Sequence, residues 1–273
     1  MLRRRPSQEP PVELPMAPPL WVIGAPRSGT TFLARVLDHH PQVLLTNETR
    51  IMLLFSRMLN RWVESRRLLA TSKAEILDSL WRQTPGVIEQ IYRDLGARPG
   101  QRWGDKYPQY ADGDQEPEAL ATIDRLFPEG QYVHIIRDPR AVVASIVAKG
   151  WLPFDEAIQA WRDFVTHAMA FGQGVGSSRY HELRFEDLVT DGPTTVDSIL
   201  KFLGLPDDEG VVRFLRSQES GRDRLSYPTG IPGSIGPAAW EARLDGEQVR
   251  AVESKLGDLM TELGYERSSS STY

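Results

Sequence analysis

Residues 20–37 read LWVIGAPRSGTTFLARVL, and this stretch decides the fold. It opens on LWVIG (20–24), a short continuous apolar run of the kind found in strands buried on both faces. The run breaks at Ala25-Pro26-Arg27-Ser28-Gly29. Beyond the break Phe32, Leu33, Val36 and Leu37 recur at helical spacing. A strand, a glycine-bounded turn and a helix make an anion site. The first N–H groups of the helix have no carbonyl to bond, and the helix dipole adds partial positive charge at that end.

The same alternation continues outward. YVHII (132–136) reads as a second buried strand; Asp138 follows as N-cap, Pro139 as first helical residue, and Val142, Val143, Ile146 and Val147 as an apolar face. YHELRF (180–185) reads as a third strand. A helix then runs from about Pro193 to a stop at Gly204. A last helix carries Val249, Val252, Leu256, Leu259 and Leu263. This order predicts an α/β fold: a single three-layer α/β/α domain around a mainly parallel sheet, with ligands at the carboxyl ends of the strands. Residues 20–264 form that domain. Residues 1–19, which hold six prolines, read as a flexible arm, and 265–273 as a flexible tail.

Composition narrows the function. The 273 residues carry 32 Lys and Arg against 37 Asp and Glu, a net charge of −5, so no overall basic field draws the chain to nucleic acid. With no cysteine, disulfides, thiolate catalysis and cysteine-ligated metals are excluded; a reducing cytoplasm fits. The five histidines show no metal-ligand spacing, and no metal is expected. No apolar stretch is long enough for a membrane span.

Gly24 to Thr31 keeps the frame of the phosphate loop G-x-x-x-x-G-K-[ST], but Thr30 stands where the lysine belongs. That lysine reaches the transferring phosphates of a nucleoside triphosphate, so an ordinary kinase or ATPase is disfavoured. Arg27 offers the positive charge instead, and Thr30 and Thr31 offer hydroxyls. A tight turn that holds nothing is the competing reading.

PRSGTT after a buried strand resembles the loop that holds the 5′-phosphosulfate of PAPS (3′-phosphoadenosine-5′-phosphosulfate) in sulfotransferases, which share the P-loop NTPase-like fold. The run from Gly24 to Arg50 looks particularly like the tyrosylprotein sulfotransferase branch and its bacterial relatives, which also carry a Glu-Thr-Arg after the first helix. The resemblance implies that Pro26, Arg27, Ser28, Gly29, Thr30 and Thr31 bind the 5′ end of the donor, with Arg27 also acting on the transferring group. Arg137 and Ser145, in RDPR and eight residues on, would contact the 3′-phosphate. Arg137 suits a bidentate phosphate clamp; a salt bridge to Asp138 or Asp187 is its competing role. WGDKYP (103–108) resembles the segment carrying a lysine near the leaving oxygen, which makes that residue Lys106. LRFEDLV (183–189) marks the family more than it marks chemistry.

Glu48, directly before Thr-Arg, matches the base of the tyrosylprotein branch and follows a short expected strand, Val43–Leu45. Its competing role is an acid favoured by the dipole of the next helix. His39, His40 and His134 read as structural residues. The chain departs from the family near its C-terminus: RDRLSYPTGIPGSIGPAAW (222–240) has no clear counterpart of the usual basic 3′-phosphate contact, though Ser226, Arg222 and Arg224 lie there. Phe185 also stands where the branch has a tyrosine. The implied reaction moves a sulfuryl group from PAPS to a small-molecule, sugar, lipid or peptide acceptor. IMLLFSRML (51–59) and the aromatics Trp151, Phe154, Trp161 and Phe164 are candidates for lining its pocket, with core packing as the alternative. The competing functions are a P-loop phosphotransferase and a non-catalytic nucleotide-binding protein of the same fold.

Overall fold

The computed structural model describes residues 15–64, 70–219 and 240–268. Ser226, Arg222 and Arg224 lie outside the described residues, as do 1–14 of the arm and 269–273 of the tail. The elements run β1 (Leu20–Ile23), α1 (Thr30–Asp38), β2 (Val43–Asn47), α2 (Ile51–Glu64), α3 (Ala70–Asp94), β3 (Arg102–Lys106), α4 (Ala119–Leu126) and β4 (Gln131–Ile136). They continue with α5 (Pro139–Ala148), α6 (Phe154–Val175), β5 (Tyr180–Arg184), α7 (Phe185–Thr190), α8 (Gly192–Leu203), α9 (Glu209–Glu219) and α10 (Gly246–Glu262).

The five strands form one sheet in the order β2-β3-β1-β4-β5, and every pairing is parallel. Side-chain alternation along β1 explains the three layers. Leu20 and Val22 join Leu33, Leu37, Ile199 and Leu203 on one face. Trp21 and Ile23 join Trp103, Ile123, Trp161 and Phe164 on the other. Trp161 and Phe164 are therefore core, whereas Trp151 is 55% exposed. Among the described residues no helix is long and apolar enough to cross a membrane.

The structure adds what hydrophobic pattern hides. β3, with the sequence RWGDK, has only one large apolar side chain, yet it lies between β1 and β2. The expected arm ends earlier than residue 19. The carbonyl of Ala17 accepts from Trp103 Nε1 at 2.8 Å, and that of Pro19 accepts from the Gln131 N–H at 3.0 Å, so this segment is bonded to β3 and β4 on either side as it leads into the central strand β1. The tail also begins later than residue 265, because Tyr265 is buried and donates its hydroxyl to Glu186 at 3.0 Å.

Gly104 of β3 sits opposite Leu20 of β1, and a Cβ there would run into the Leu20 carbonyl oxygen. Gly86, in α3, has open space around its Cα. Gly104→Ala is expected to cost about 3 kcal/mol or more through strand separation. Gly86→Ala should stabilise by up to about 1 kcal/mol through helix propensity. Urea unfolding of the two variants beside the parent checks both signs.

Candidate functional site

The site is built at the carboxyl ends of β1, β2, β3 and β4. After β1 the chain leaves the sheet through Gly24 at φ 147°, where a Cβ would strike the Ile135 carbonyl of β4. Arg27 (φ 74°) and Gly29 (φ 95°) are also left-handed, and the Gly29 Cα lies against the Phe185 ring. α1 then starts at Thr30 with no side-chain cap. The N–H groups of its first turn have no carbonyl four residues back, an arrangement that suits an anion. The Ser28 hydroxyl is fully buried and, among the described residues, has no hydrogen-bond partner. A buried orphan in an anion-binding turn calls for an acceptor.

Arg27 joins this loop to the end of β4. Its Nε donates to Ser145 Oγ at 2.9 Å, and its guanidinium lies 5.6 Å from the Trp151 ring centre. Its carbonyl accepts from Arg137 Nη1 at 3.3 Å. An extended helix would separate Arg137 and Ser145 by about 12 Å along the axis; Arg27 spans that gap, so the three expected donor contacts form one cluster. Arg137 is buried, with its guanidinium 4.3 Å from the Phe185 ring centre. Burial pulls its proton affinity below the usual range, Glu186 opposes that, and Arg27 adds to the lowering. A bound anion would compensate both the desolvation and the repulsion between the two arginines.

The two competing partners proposed for Arg137 are engaged by other arginines. Arg184 pairs with Asp187 at 3.1 Å. Arg140 holds Asp138 at 2.7 Å and Glu253 of α10 at 2.8 Å. Asp138 also caps α5 through the Arg140 N–H, as its sequence context predicts. Glu186 accepts from the Asp138 N–H at 3.1 Å and from Tyr265. LRFEDLV is thus more than a family marker: Phe185 packs on Gly29 and Arg137, and Glu186 ties down the turn that carries Arg137.

Beyond the loop, β2 and β3 bring the second pair of residues together. Lys106 is fully buried, and its Nζ donates to Glu48 Oε1 at 2.6 Å. The Glu48 side chain remains 46% exposed. Its backbone N–H donates to the Lys106 carbonyl at 2.8 Å. Burial lowers the Lys106 pKa, and the Glu48 carboxylate raises it. Among the described residues, the non-glycine positions with left-handed backbone are Arg27, Glu48 (φ 57°) and Arg50 (φ 62°), all at this site. Such geometry costs about 1–3 kcal/mol per residue and marks positions the surrounding structure must hold.

Sequence reading located Glu48, Lys106, Arg27, Arg137, Ser145 and the loop, and the fold brings them to one edge of the sheet. It passed over Asp105, Arg140–Glu253 and Glu186–Tyr265. Asp105 was visible as an acid beside Lys106 in WGDKYP; Glu253 and Tyr265 gave no local signal, because their partners are far away in the chain. Of the histidines, His40 bonds the Pro206 carbonyl and His134 the Tyr180 hydroxyl, both structural roles.

A family model described as "Sulfotransferase family" matches residues 18–209. The protein-tyrosine sulfotransferase of Drosophila melanogaster is 22% identical over 272 residues, covering 91% of this chain and 52% of that one. This chain therefore spans about half the length of that relative. Among solved structures, a sulfotransferase domain from the curacin biosynthetic pathway superposes with a TM-score of 0.60 at 21% identity, covering 92% of this chain and 99% of that one. A mouse sulfotransferase complexed with PAP gives a TM-score of 0.54 at 15% identity, covering 91% and 85%. Both likenesses show a shared fold.

The Glu253 anchor of the Arg137 turn gives a pH-dependent expectation. Burial pushes the Glu253 carboxyl up, but hydrogen bonds from Ser268 and Arg140 outweigh it and hold the pKa below the ordinary 4.5. A lowered folded pKa contributes stability above the unfolded value, and that stability is lost as pH falls through the folded one. Glu253→Gln should be about 1–2 kcal/mol less stable at neutral pH. The gap should close as pH drops below 4.5, as read by urea unfolding across that range.

Proposed function

The chain belongs to the sulfotransferase family, and on that premise we propose that it transfers the sulfuryl group of PAPS to a hydroxyl or amine of an acceptor by in-line displacement. The observation that carries the reading is the Glu48–Lys106 pair at 2.6 Å, beside a glycine-framed loop whose flanking cations converge. PAPS supplies the activated sulfuryl group. The loop from Pro26 to Thr31 holds the 5′-phosphosulfate with backbone N–H groups and the Ser28, Thr30 and Thr31 hydroxyls. Arg137 and Ser145 hold the 3′-phosphate, and Ser226 is a further candidate there.

Glu48 takes the proton of the acceptor as the new sulfur–oxygen or sulfur–nitrogen bond forms. Its exposed carboxylate face meets the acceptor while its other side stays on Lys106. As the sulfur–oxygen bond to the donor breaks, Lys106 steadies the charge on the departing phosphate oxygen. Arg27 balances charge on the transferring group. The products are the sulfated acceptor, adenosine 3′,5′-bisphosphate and one proton. Holding two substrates in line supplies much of the rate.

The mouse structure complexed with PAP supports the choice of donor, and the protein-tyrosine sulfotransferase relative supports a hydroxyl acceptor. Acceptors in the family's range include small molecules, sugars, lipids and peptides. With Trp161 and Phe164 in the core, exposed Trp151 beside Arg27 is the aromatic we assign to the acceptor. The setting we propose is the cytoplasm, with which a chain lacking cysteine is compatible.

Titration calorimetry with adenosine 3′,5′-bisphosphate tests the donor assignment. Arg137→Ala should weaken binding by about 10- to 100-fold, the loss of a charge-assisted clamp; unchanged affinity would return Arg137 to a structural role. Release of the bisphosphate from PAPS across phenolic, sugar, lipid and peptide acceptors tests the chemistry. Glu48→Gln should lower turnover by about 10²- to 10⁴-fold with donor affinity kept. Full turnover in that variant removes Glu48 as base.

A further inference from the structure

We propose that Asp105 is a positioning residue: its buried carboxylate fixes the Thr46–Arg50 loop so that Glu48 is held on Lys106. The inference rests on the reading of Glu48 as base, and it concerns a residue whose side chain faces away from the donor.

Alternation along β3 sends Asp105 and Lys106 to opposite faces of the sheet. Asp105 shares its face with Trp103, Tyr92 and Tyr110; Lys106 shares the other with Gly104 and α1, where Arg35 adds to the lowering of its pKa. The two neighbours thus grip one loop from both sides. From below, Asp105 accepts from the Thr49 N–H at 3.2 Å, the Thr49 hydroxyl at 2.9 Å and the Tyr110 hydroxyl at 2.8 Å. The Thr46 hydroxyl lies 2.9 Å from both Asp105 Oδ1 and the Gly104 carbonyl. From above, the Lys106 carbonyl and ammonium hold the Glu48 N–H and carboxylate.

Thr49 is the pivot. It lies between Glu48 and Arg50, both left-handed, and its hydroxyl also accepts from the Ile51 N–H that opens α2 at 3.4 Å. A loop with two left-handed residues around one threonine relaxes unless that threonine is tied. Asp105 ties it through both its backbone and its side chain. Burial pushes the Asp105 carboxyl up, while the hydrogen bonds from Tyr110, Thr46 and Thr49 pull against that shift. The Asp105 charge also raises the Lys106 pKa directly, so Thr49→Val, which keeps that charge, reads the effect that travels through the loop.

The test uses Asp105→Asn, Glu48→Gln and Thr49→Val in the full chain. The first readout is amine acylation of the unliganded protein followed by mass spectrometry, with the exposed Lys201 and Lys255 as internal references. Asp105→Asn is expected to label Lys106 about tenfold faster than the parent, because the Glu48 cover is released. Its turnover of PAPS should fall about 100-fold, the scale of a small misplacement of a reacting group, with bisphosphate affinity kept within about threefold. Thr49→Val, which keeps side-chain shape, should move both readouts in the same direction by a smaller factor and stands in if Asp105→Asn fails to fold. Unchanged Lys106 labelling, unchanged turnover, or loss of donor affinity in step with turnover overturns the proposal. Glu48→Gln separates the two readings: if it turns over normally the base assignment falls, while the labelling of Thr49→Val, in which the Asp105 charge is kept, still reports whether the tie to Asp105 holds the loop.

Discussion

The site depends on two cations being kept out of water at strand ends. Lys106 and Arg137 are both buried, and an isolated charge in that position costs several kcal/mol. Their surroundings are arranged to offset that cost. Glu48 caps Lys106, and Glu186 and Asp138 lie close enough to Arg137 to raise its pKa against desolvation. The strand order then gives the pair its meaning. β1 runs between β3 and β4, so the loop after β1 emerges with Lys106 on one side and Arg137 on the other. An anion bound at that loop meets a field set by local geometry, and the net charge of −5 is irrelevant to it.

Keeping those charges in register requires backbone that ordinary residues avoid. Arg27, Glu48 and Arg50 are all left-handed, and all three are charged residues in the turns that follow β1 and β2. Glycine would adopt these angles without strain but would bring no charge. The chain therefore accepts strain where chemistry needs a side chain and uses glycine where it needs only close approach, as at Gly24 and Gly29. Glu48 is pinned by its hydrogen bonds to Lys106 of β3, and Arg27 by those to Arg137 after β4 and to Ser145 of α5.

Much of this was legible in the sequence because the loop, the Asp138 cap and the helix faces are local patterns. LWVI, YVHII and PRSGTT each specify their conformation within a few residues, and the sheet follows from their alternation. β3 was illegible because RWGDK has a glycine that lets strands approach and three charged residues, Arg102, Asp105 and Lys106, in place of an apolar run. Glu253 and Tyr265 were illegible for a different reason. Their partners Arg140 and Glu186 lie 113 and 79 residues away, and no spacing rule connects them. The arm and tail were drawn too long because proline content and a polar ending describe a chain without its partners; Trp103 supplies one to the arm and Glu186 one to the tail.

Phe185 shows how a departure from family pattern can be absorbed. A tyrosine there would offer one hydroxyl near the donor, and its absence looks like a lost contact. The phenylalanine ring instead lies under the Arg137 guanidinium and against Gly29, touching the end of β4 and the turn after β1 at once. A cation over an aromatic face gains attraction that water would otherwise supply, and the effect grows as the pair is desolvated. The ring also fills the space that forces residue 29 to be glycine. One apolar side chain therefore packs against the loop after β1 and the Arg137 guanidinium together.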